Sequence, residues 1–228
     1  MKHKQKSGKA FKGKAMEGWV ARAYNRNARD HIMPQYRVWA RSFEALIPQG
    51  SKVLEVAPGP GYLSIELARA GAEVVGIDIS ESFVEIARRN AREAGVRVEF
   101  RQGNASALPF ADESFTHVVC TSSFKNFSEP VAALREMHRV LVPGGIAWLS
   151  DLRGDVSDEE IDRYVRDGMG MKGLNAFTTR MTFKKMLRKR AYTEEALLQL
   201  VSRTPLTVVA NESSSMELLL TMQKGAAI

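Results

Sequence analysis

The residues of this chain best suited by type and spacing to do chemistry are Glu55, Gly59, Gly61 and Asp78. The first three fall in Val53-Leu54-Glu55-Val56-Ala57-Pro58-Gly59-Pro60-Gly61-Tyr62, an apolar run that ends in a turn of small residues. Gly59 and Gly61 permit positive φ and close approach of backbone to a ligand. A helix that opens just after them would aim unpaired N–H groups at that ligand. Asp78 closes the next apolar run, Glu73–Asp78. A carboxylate there can accept both hydroxyls of an adenosine ribose. This much fits either a nicotinamide dinucleotide or S-adenosylmethionine.

Two features separate these ligands. A dinucleotide fingerprint calls for a third glycine, which lets the helix pack close behind the pyrophosphate, and here that position is Ser64. Glu55 lies inside the strand beside the loop. Its charge would repel a pyrophosphate, whereas it suits a ligand carrying an ammonium and a sulfonium.

These residues must be held by elements that the sequence also marks. Lys52–Ala57 reads as a strand, Gly61–Ala70 as a helix and Glu73–Asp78 as a strand. Ser80 is the expected N-cap of a helix that runs to Ala94, with Gly95 just past its end. Arg97–Arg101 and Phe115–Cys120 read as strands. Ser128-Glu129-Pro130 opens a helix to Leu141, and Pro143-Gly144-Gly145 turns into the strand Ile146–Ser150. Alternation at this spacing implies βαβ units and a parallel sheet covered on both faces. Ligands of such sheets bind at the carboxyl ends of the strands. After residue 151 the rhythm breaks. Ser157 with Glu160 reads as a capping box. Helical patterns run to about Met171, through 176–190 and through 193–202. Leu206–Ala210 and Met216–Met222 read as a hairpin around the turn Asn211–Ser215, which would add an antiparallel strand. The expected fold is therefore α/β: a doubly wound, mostly parallel seven-stranded sheet, Rossmann-like, with a C-terminal antiparallel hairpin strand and a helical insertion after the fifth strand.

Composition sets the outer limits. The chain has 228 residues, 44% hydrophobic and 26% charged, as an ordinary globular domain has. No apolar run is long enough to span a bilayer, so no membrane partner is expected. The N-terminus lacks the apolar stretch of a secretory signal. With one cysteine, Cys120, the expected location is the reducing cytoplasm. The net charge of +7 lies at the N-terminus: residues 1–14 hold six lysines and no acid. They read as a solvated, disordered tail. An arm touching nucleic acid or an anionic surface is the sharper alternative, but the stretch lacks interleaved aromatics and any base-reading motif, so nucleic acid is not an expected partner. Four histidines and one cysteine show no metal-ligand spacing, and no metal is expected. The division expected along the chain is a tail 1–14 and one domain 15–228. Within that domain, 15–50 form a helical lid, 51–151 a cofactor-binding core, 152–204 a helical acceptor-side insertion and 205–228 the last two strands.

Over about residues 52–151 the chain resembles class I S-adenosylmethionine-dependent methyltransferases of the small-molecule type. The family's acid-x-Gly-x-Gly-x-Gly motif appears as Glu55-x-Ala57-x-Gly59-x-Gly61, with Ala57 in place of the first glycine. Val75-Gly76-Ile77-Asp78-Ile79-Ser80 matches the ribose-binding strand end. Gly103-Asn104-Ala105-Ser106-Ala107-Leu108-Pro109-Phe110 matches the adenine-side loop, with Asn104 where the family usually has Asp. Asp112-x-Ser114-Phe115-x-x-Val118-Val119 and Arg139-Val140-Leu141-x-Pro143-Gly144-Gly145 complete the pattern. The resemblance implies S-adenosylmethionine as cofactor and S-adenosylhomocysteine as product. It implies a cofactor site of Glu55, Ala57, Pro58, Gly59, Gly61, Tyr62, Asp78, Ile79, Phe83, Gly103, Asn104, Ala105 and Thr121. For Tyr62 and Phe83 a place in the core, and for Asn104 a role in holding its loop, are the competing readings.

The implied reaction is in-line displacement, in which alignment and exclusion of water do most of the work. A general base is needed only if the acceptor must lose a proton. The wall nearest the reactive methyl reads Thr121-Ser122-Ser123-Phe124-Lys125-Asn126-Phe127. The Asn/Asp-Pro-Pro-aromatic motif of nucleic-acid amino methylation is absent from it. Lys125 could bind an anionic acceptor or lower the pKa of a phenol-like hydroxyl, or simply be an exposed loop lysine. Lys125, His31 and Tyr36 are the candidate catalytic groups, the last two in the stretch Trp19–Trp39. That stretch is either a lid or an amphipathic helix pair packed on the sheet. Met169, Met171, Phe177, Met181, Phe183 and Met186 give the insertion adaptable apolar surface, and Arg180 to Arg190 form a basic run. The expected acceptor is a small molecule, anionic or aromatic; the alternatives are methylation of RNA or protein guided by the basic N-terminus, or a domain that binds S-adenosylmethionine without transferring the methyl.

Overall fold

The computed structural model describes residues 15–44 and 46–226; the lysine-rich stretch 1–14 lies outside the described residues. The chain opens with α1 (Gly18–Asn27), a π turn (Ala28–Ile32) and α2 (Met33–Glu44). Then come β1 (Lys52–Val56), α3 (Tyr62–Arg69), β2 (Glu73–Asp78), α4 (Glu81–Glu93), β3 (Glu99–Gln102) and β4 (Phe115–Thr121). A 3₁₀ turn (Phe124–Asn126) leads to α5 (Pro130–Val140) and β5 (Leu141–Leu152). The insertion holds α6 (Asp158–Arg163), a π turn (Tyr164–Gly168), α7 (Gly173–Thr182), a second π turn (Phe183–Leu187) and α8 (Glu194–Val201). It is followed by β6 (Thr207–Ser213) and β7 (Glu217–Gln223).

One sheet of seven strands runs in the order β3-β2-β1-β4-β5-β7-β6. The first five pair in parallel, and β7 lies antiparallel between β5 and β6. Strand order reverses between β1 and β4, so the crevice at a topological switch point opens at their carboxyl ends. Alternation builds the layers, since successive strand residues face opposite sides. Leu54, Val118 and Leu149 point into a core closed by Leu134 and Met137 of α5 and Leu197 and Val201 of α8. Their neighbours Val53, Val119 and Trp148 face Tyr36, Trp39 and Phe43 of α2 and Leu63 and Leu67 of α3.

Local signals act where they were expected. The Ser80 hydroxyl accepts from Phe83 N and starts α4, and Gly95 stands just beyond its end at φ 70°. Ser157 and Glu160 make both bonds of a capping box. Several boundaries shift: β3 is Glu99–Gln102 rather than Arg97–Arg101, and α7 begins at Gly173 rather than at 176. Two differences are larger. Pro143-Gly144-Gly145 does not precede the fifth strand but lies within it: β5 begins at Leu141 and loops out, so that Phe115 and His117 of β4 face Leu141 and Ile146. The hairpin turn is also later and tighter than Asn211–Ser215, because β6 continues through Ser213. β6 is an edge strand with almost every side chain exposed, so polar residues cost it nothing there.

Candidate active site

At the end of β1 the chain passes from Glu55 through a turn whose backbone is left-handed at three places: Ala57 (φ 58°), Gly59 (φ 54°) and Gly61 (φ 80°). The two glycines serve different ends. A Cβ on Gly59 would meet nothing within 4 Å, so its conformation is what requires glycine. A Cβ on Gly61 would stand 2.8 Å from both Ala87 Cβ and Phe100 Cζ, so Gly61 lets α3 and α4 close over β3. Ala57 holds a left-handed conformation with a side chain, which costs about 1–2 kcal/mol. Ser122, at the end of the adjacent β4, does the same at φ 54°. Backbone strain of this kind concentrates at ligand-binding edges; two of the three such non-glycine positions among the described residues stand at the strand ends that flank the crevice, and the third, Glu113, lies in the turn before β4. Ser123 Oγ ties them together by donating to the Ala57 carbonyl at 3.2 Å.

Two carboxylates are buried at this edge. Glu55 is 1% exposed, and the hydroxyl of Ser64, itself fully buried on α3, donates to it. Ser64 thus occupies the place of a third glycine and holds the acid. Burial pushes the Glu55 carboxyl up to about 7. Asp78, 6% exposed, accepts from Gly59 N at 3.0 Å and from Ser80 N at 2.9 Å, one bond to each oxygen. This locks the β2 end to the glycine turn; burial again pushes the carboxyl up. Gly103 N donates to the Asp78 carbonyl at 2.9 Å and brings the next loop alongside. In that loop Asn104 is exposed, and its side-chain oxygen accepts from Ser106 N at 2.9 Å, so it shapes the loop. Ile79 stands exposed just past Asp78. Thr121 is buried at the end of β4.

The stretch before β1 both packs and covers. Tyr36, Trp39 and Phe43 are buried against the sheet. α1 reaches over α4, where Ala21 packs on Phe83 and Ile86. Phe83 is therefore a core aromatic seated under α1, 5.6 Å ring to ring from Tyr24. Tyr62 is half-buried, donates to Asn25 Oδ1 at 3.0 Å and lies 5.8 Å from the Tyr36 ring. Beside Asp78, the Glu17 carboxylate accepts from Glu81 N and Ser82 N, and Ser80 Oγ donates to the Met16 carbonyl. A second acid thus caps α4, and residues 16–18 are latched next to the β2 end.

The three catalytic candidates do not converge. His31 is exposed on the first π turn. Tyr36 is buried, and burial drives its phenol well above the ordinary range, so it is a hydrogen-bond donor rather than a base. Lys125 is not an exposed loop lysine: it is 4% exposed, with its ammonium 2.6 Å from Asp151 Oδ1 and donating to the Ser122 carbonyl. Asp151 also accepts from Lys125 N at 2.7 Å and from Leu152 N at 2.8 Å. Next to this pair Glu217 accepts a hydrogen bond from the Trp39 indole, and burial pushes its carboxyl up. Sequence reasoning passed over Asp151, Glu217 and Ser64. The signal available was position: Asp151 and Glu217 stand at strand ends on the ligand edge.

Comparison with known proteins agrees with this geometry. A family model described as a methyltransferase domain matches residues 54–149. The demethylmenaquinone methyltransferase of Thermus thermophilus is 42% identical over 103 residues, 44% of this chain and 47% of that one. The enzyme of the same name from Clavibacter sepedonicus is 40% identical over 134 residues, 58% of this chain and 54% of that one. The chain thus spans about half the length of the curated relatives it matches. In fold it is similar to a Methanococcus maripaludis protein assigned to the S-adenosyl-L-methionine-dependent methyltransferases, with a TM-score of 0.75, 18% identity and coverage of 94% of this chain and 96% of that one. The glycine turn and the acid at the end of β2 lie within the matched segment, and residues 54–149 of this chain are similar to a methyltransferase domain.

Proposed function

We propose that this protein is an enzyme that transfers the methyl group of S-adenosylmethionine to a small, apolar, aromatic acceptor, the reduced (hydroquinone) form of a quinone, whose ring carbon or hydroxyl oxygen supplies the attacking electron pair and gives up its proton to solvent. The observation that carries the cofactor reading is the pair of buried acids, Glu55 and Asp78, held on either side of the glycine turn at adjacent strand ends. Their chemistry fits the cofactor: an acid poised near neutrality for the ammonium, and a carboxylate with lone pairs left for two ribose hydroxyls. A pyrophosphate would meet repulsion from Glu55.

Asp78 holds the ribose, Ile79 and Ala105 flank the adenine, and Gly103 and Asn104 present polar groups to its edge. Glu55 pairs with the ammonium. Pro58, Gly59 and Gly61 set the turn, with Ala57, Tyr62 and Thr121 around it. The bound sulfonium supplies a carbon activated for in-line displacement and leaves as S-adenosylhomocysteine. The chain's part is alignment and exclusion of water, shared among a cover (15–50), a cofactor core (51–151) and an acceptor side (152–204). Because Asp151 neutralises Lys125, nothing in the wall 121–127 draws an anion, which favours a neutral acceptor. The relatives are named for demethylmenaquinone, a quinone. Nucleic acid is not part of this reading, and the single buried Cys120 suits the cytoplasm.

Calorimetric titration with S-adenosylhomocysteine, with NAD as control, tests the cofactor. Binding of the former alone is expected, and hydroquinones, kept reduced, are then screened as acceptors by product mass. Binding of NAD alone would overturn the reading.

A further inference from the structure

The insertion carries an apolar face that the fold does not use. Helix α7 and the π turn after it are anchored from one side, where Ala176, Phe183 and Leu187 pack with Ile161 and Val165. On the outer side Leu174, Phe177 and Met181 are spaced i, i+3 and i+7, so they share one stripe. Leu174 is 74% exposed, Phe177 59% and Met181 38%. An outward row of two large aliphatics and an aromatic on consecutive turns is unlike scattered surface apolar residues.

The charges around the stripe have one sign. Exposed Lys172 precedes it, exposed Lys185 lies one turn beyond Met181 in the same row, and Lys189 follows. Among the described residues no ion pair involves Lys172, Lys185 or Lys189. The nearby acids are engaged toward the inner flank: Asp158 with Arg188 at 2.7 Å, and Asp162 with Lys184 at 2.9 Å and Arg180 at 3.6 Å. Asp167 pairs with Arg166. An apolar stripe bracketed lengthwise by lysines matches a surface that is apolar below and anionic above.

We propose that Leu174, Phe177 and Met181, bracketed by Lys172 and Lys185, form a docking face for an anionic lipid surface, on which α7 lies in the plane of the interface. Among the described residues no helix is long and apolar enough to cross a membrane, and this face needs none. A flat, charged bilayer surface complements the row better than a second copy would, since two such faces would bring lysine against lysine. The inference stands apart from the identity of the methyl acceptor.

Flotation of the full chain with vesicles of phosphatidylcholine alone, or mixed equally with phosphatidylglycerol, tests it. Binding is expected only with phosphatidylglycerol, and L174S/F177S is expected to weaken it by about tenfold or more, with S-adenosylhomocysteine binding and the melting transition unchanged. The lysines of residues 1–14 provide the competing source of attraction. Attraction by those lysines alone would survive L174S/F177S and vanish at 0.5 M salt, as expected when salt screens exposed charge to within about 3–5 Å, and that result overturns the proposal. So does wild-type protein that ignores anionic vesicles, or an L174S/F177S substitution whose only effect, by light scattering, is to turn a dimer into a monomer.

Discussion

The ammonium of Lys125, on the 3₁₀ turn that follows β4, and the carboxylate of Asp151, near the end of the neighbouring β5, lie 2.6 Å apart with both side chains over 90% buried. Such a pair is costly to leave half-made, because removing one partner strands a buried charge, at about 3–5 kcal/mol. Lys125→Met and Asp151→Asn are each expected to lower stability in urea by about 3 kcal/mol. The double variant K125M/D151N should lose less than the sum of the two, because no charge is left uncompensated and the asparagine oxygen still accepts a backbone N–H. Additive losses would mean that the two groups are not coupled.

Glu55 makes both folding and binding depend on pH. Its carboxyl rises from 4.5 to about 7 on burial. The native state therefore holds a proton that the unfolded chain releases between those values. The stability this group contributes is full below about pH 4.5 and is lost as pH rises through about 7. Glu55→Gln should accordingly stabilise the ligand-free protein at pH 8 by up to about 3 kcal/mol, with little effect near pH 4.5, as melting curves at both ends would report. Binding has the opposite sign. A ligand ammonium needs the ionised acid, so affinity for S-adenosylhomocysteine should rise about tenfold from pH 6 to pH 8. In Glu55→Gln that rise should be absent. A wild-type affinity flat across this range would remove Glu55 from the ammonium site.

Much of this site was legible because its determinants are local. The run from Glu55 to Tyr62, the strand ending at Asp78 and the cap at Ser80 each depend on neighbours a few residues away. What escaped depends on pairing. In sequence Lys125 reads as a catalytic candidate or an exposed loop lysine; only the alignment of β4 with β5, Thr121 opposite Ser150, brings Asp151 beside it. Ser64 counts in sequence only as a missing glycine, yet a helix over β1 turns its hydroxyl onto Glu55. β6 was ended too early because Asn211, Glu212 and Ser213 look like turn residues; at a sheet edge they extend the strand, and Asn211 and Ser213 both reach Glu194 on α8.

The glycine turn offers a paired test of strain against space. Ala57 carries a side chain at φ 58°, so Ala57→Gly should raise stability by about 1 kcal/mol as the left-handed penalty is removed. Gly61→Ala meets both obstacles at once, a φ of 80° and a Cβ 2.8 Å from Ala87 and Phe100. It should cost about 2 kcal/mol or more. Melting curves of the two variants, measured without ligand, should move in opposite directions. A fall for Ala57→Gly would show that the methyl group packs usefully and outweighs its strain.

Asp78 is the residue on which structure and binding can be separated most cleanly. Its oxygens accept two backbone N–H groups, from Gly59 and Ser80, so Asp78→Ala leaves two donors unpaired, at a cost of about 1–3 kcal/mol each. Removing the carboxylate also lifts the burial that holds its pKa up, which offsets part of that loss. Ser80 still caps α4 through its hydroxyl, and Glu17 still accepts from Glu81 N and Ser82 N. The domain should therefore stay folded. Binding has no such reserve: the ribose hydroxyls lose a charged acceptor, and at about 1.5–3 kcal/mol for each hydrogen bond to a charged group affinity for S-adenosylhomocysteine should fall by about 100-fold or more. Calorimetry on folded Asp78→Ala, with circular dichroism as the check on folding, decides the matter. Unchanged affinity in a folded variant would take Asp78 out of the cofactor site and leave it as a latch between β2 and the glycine turn.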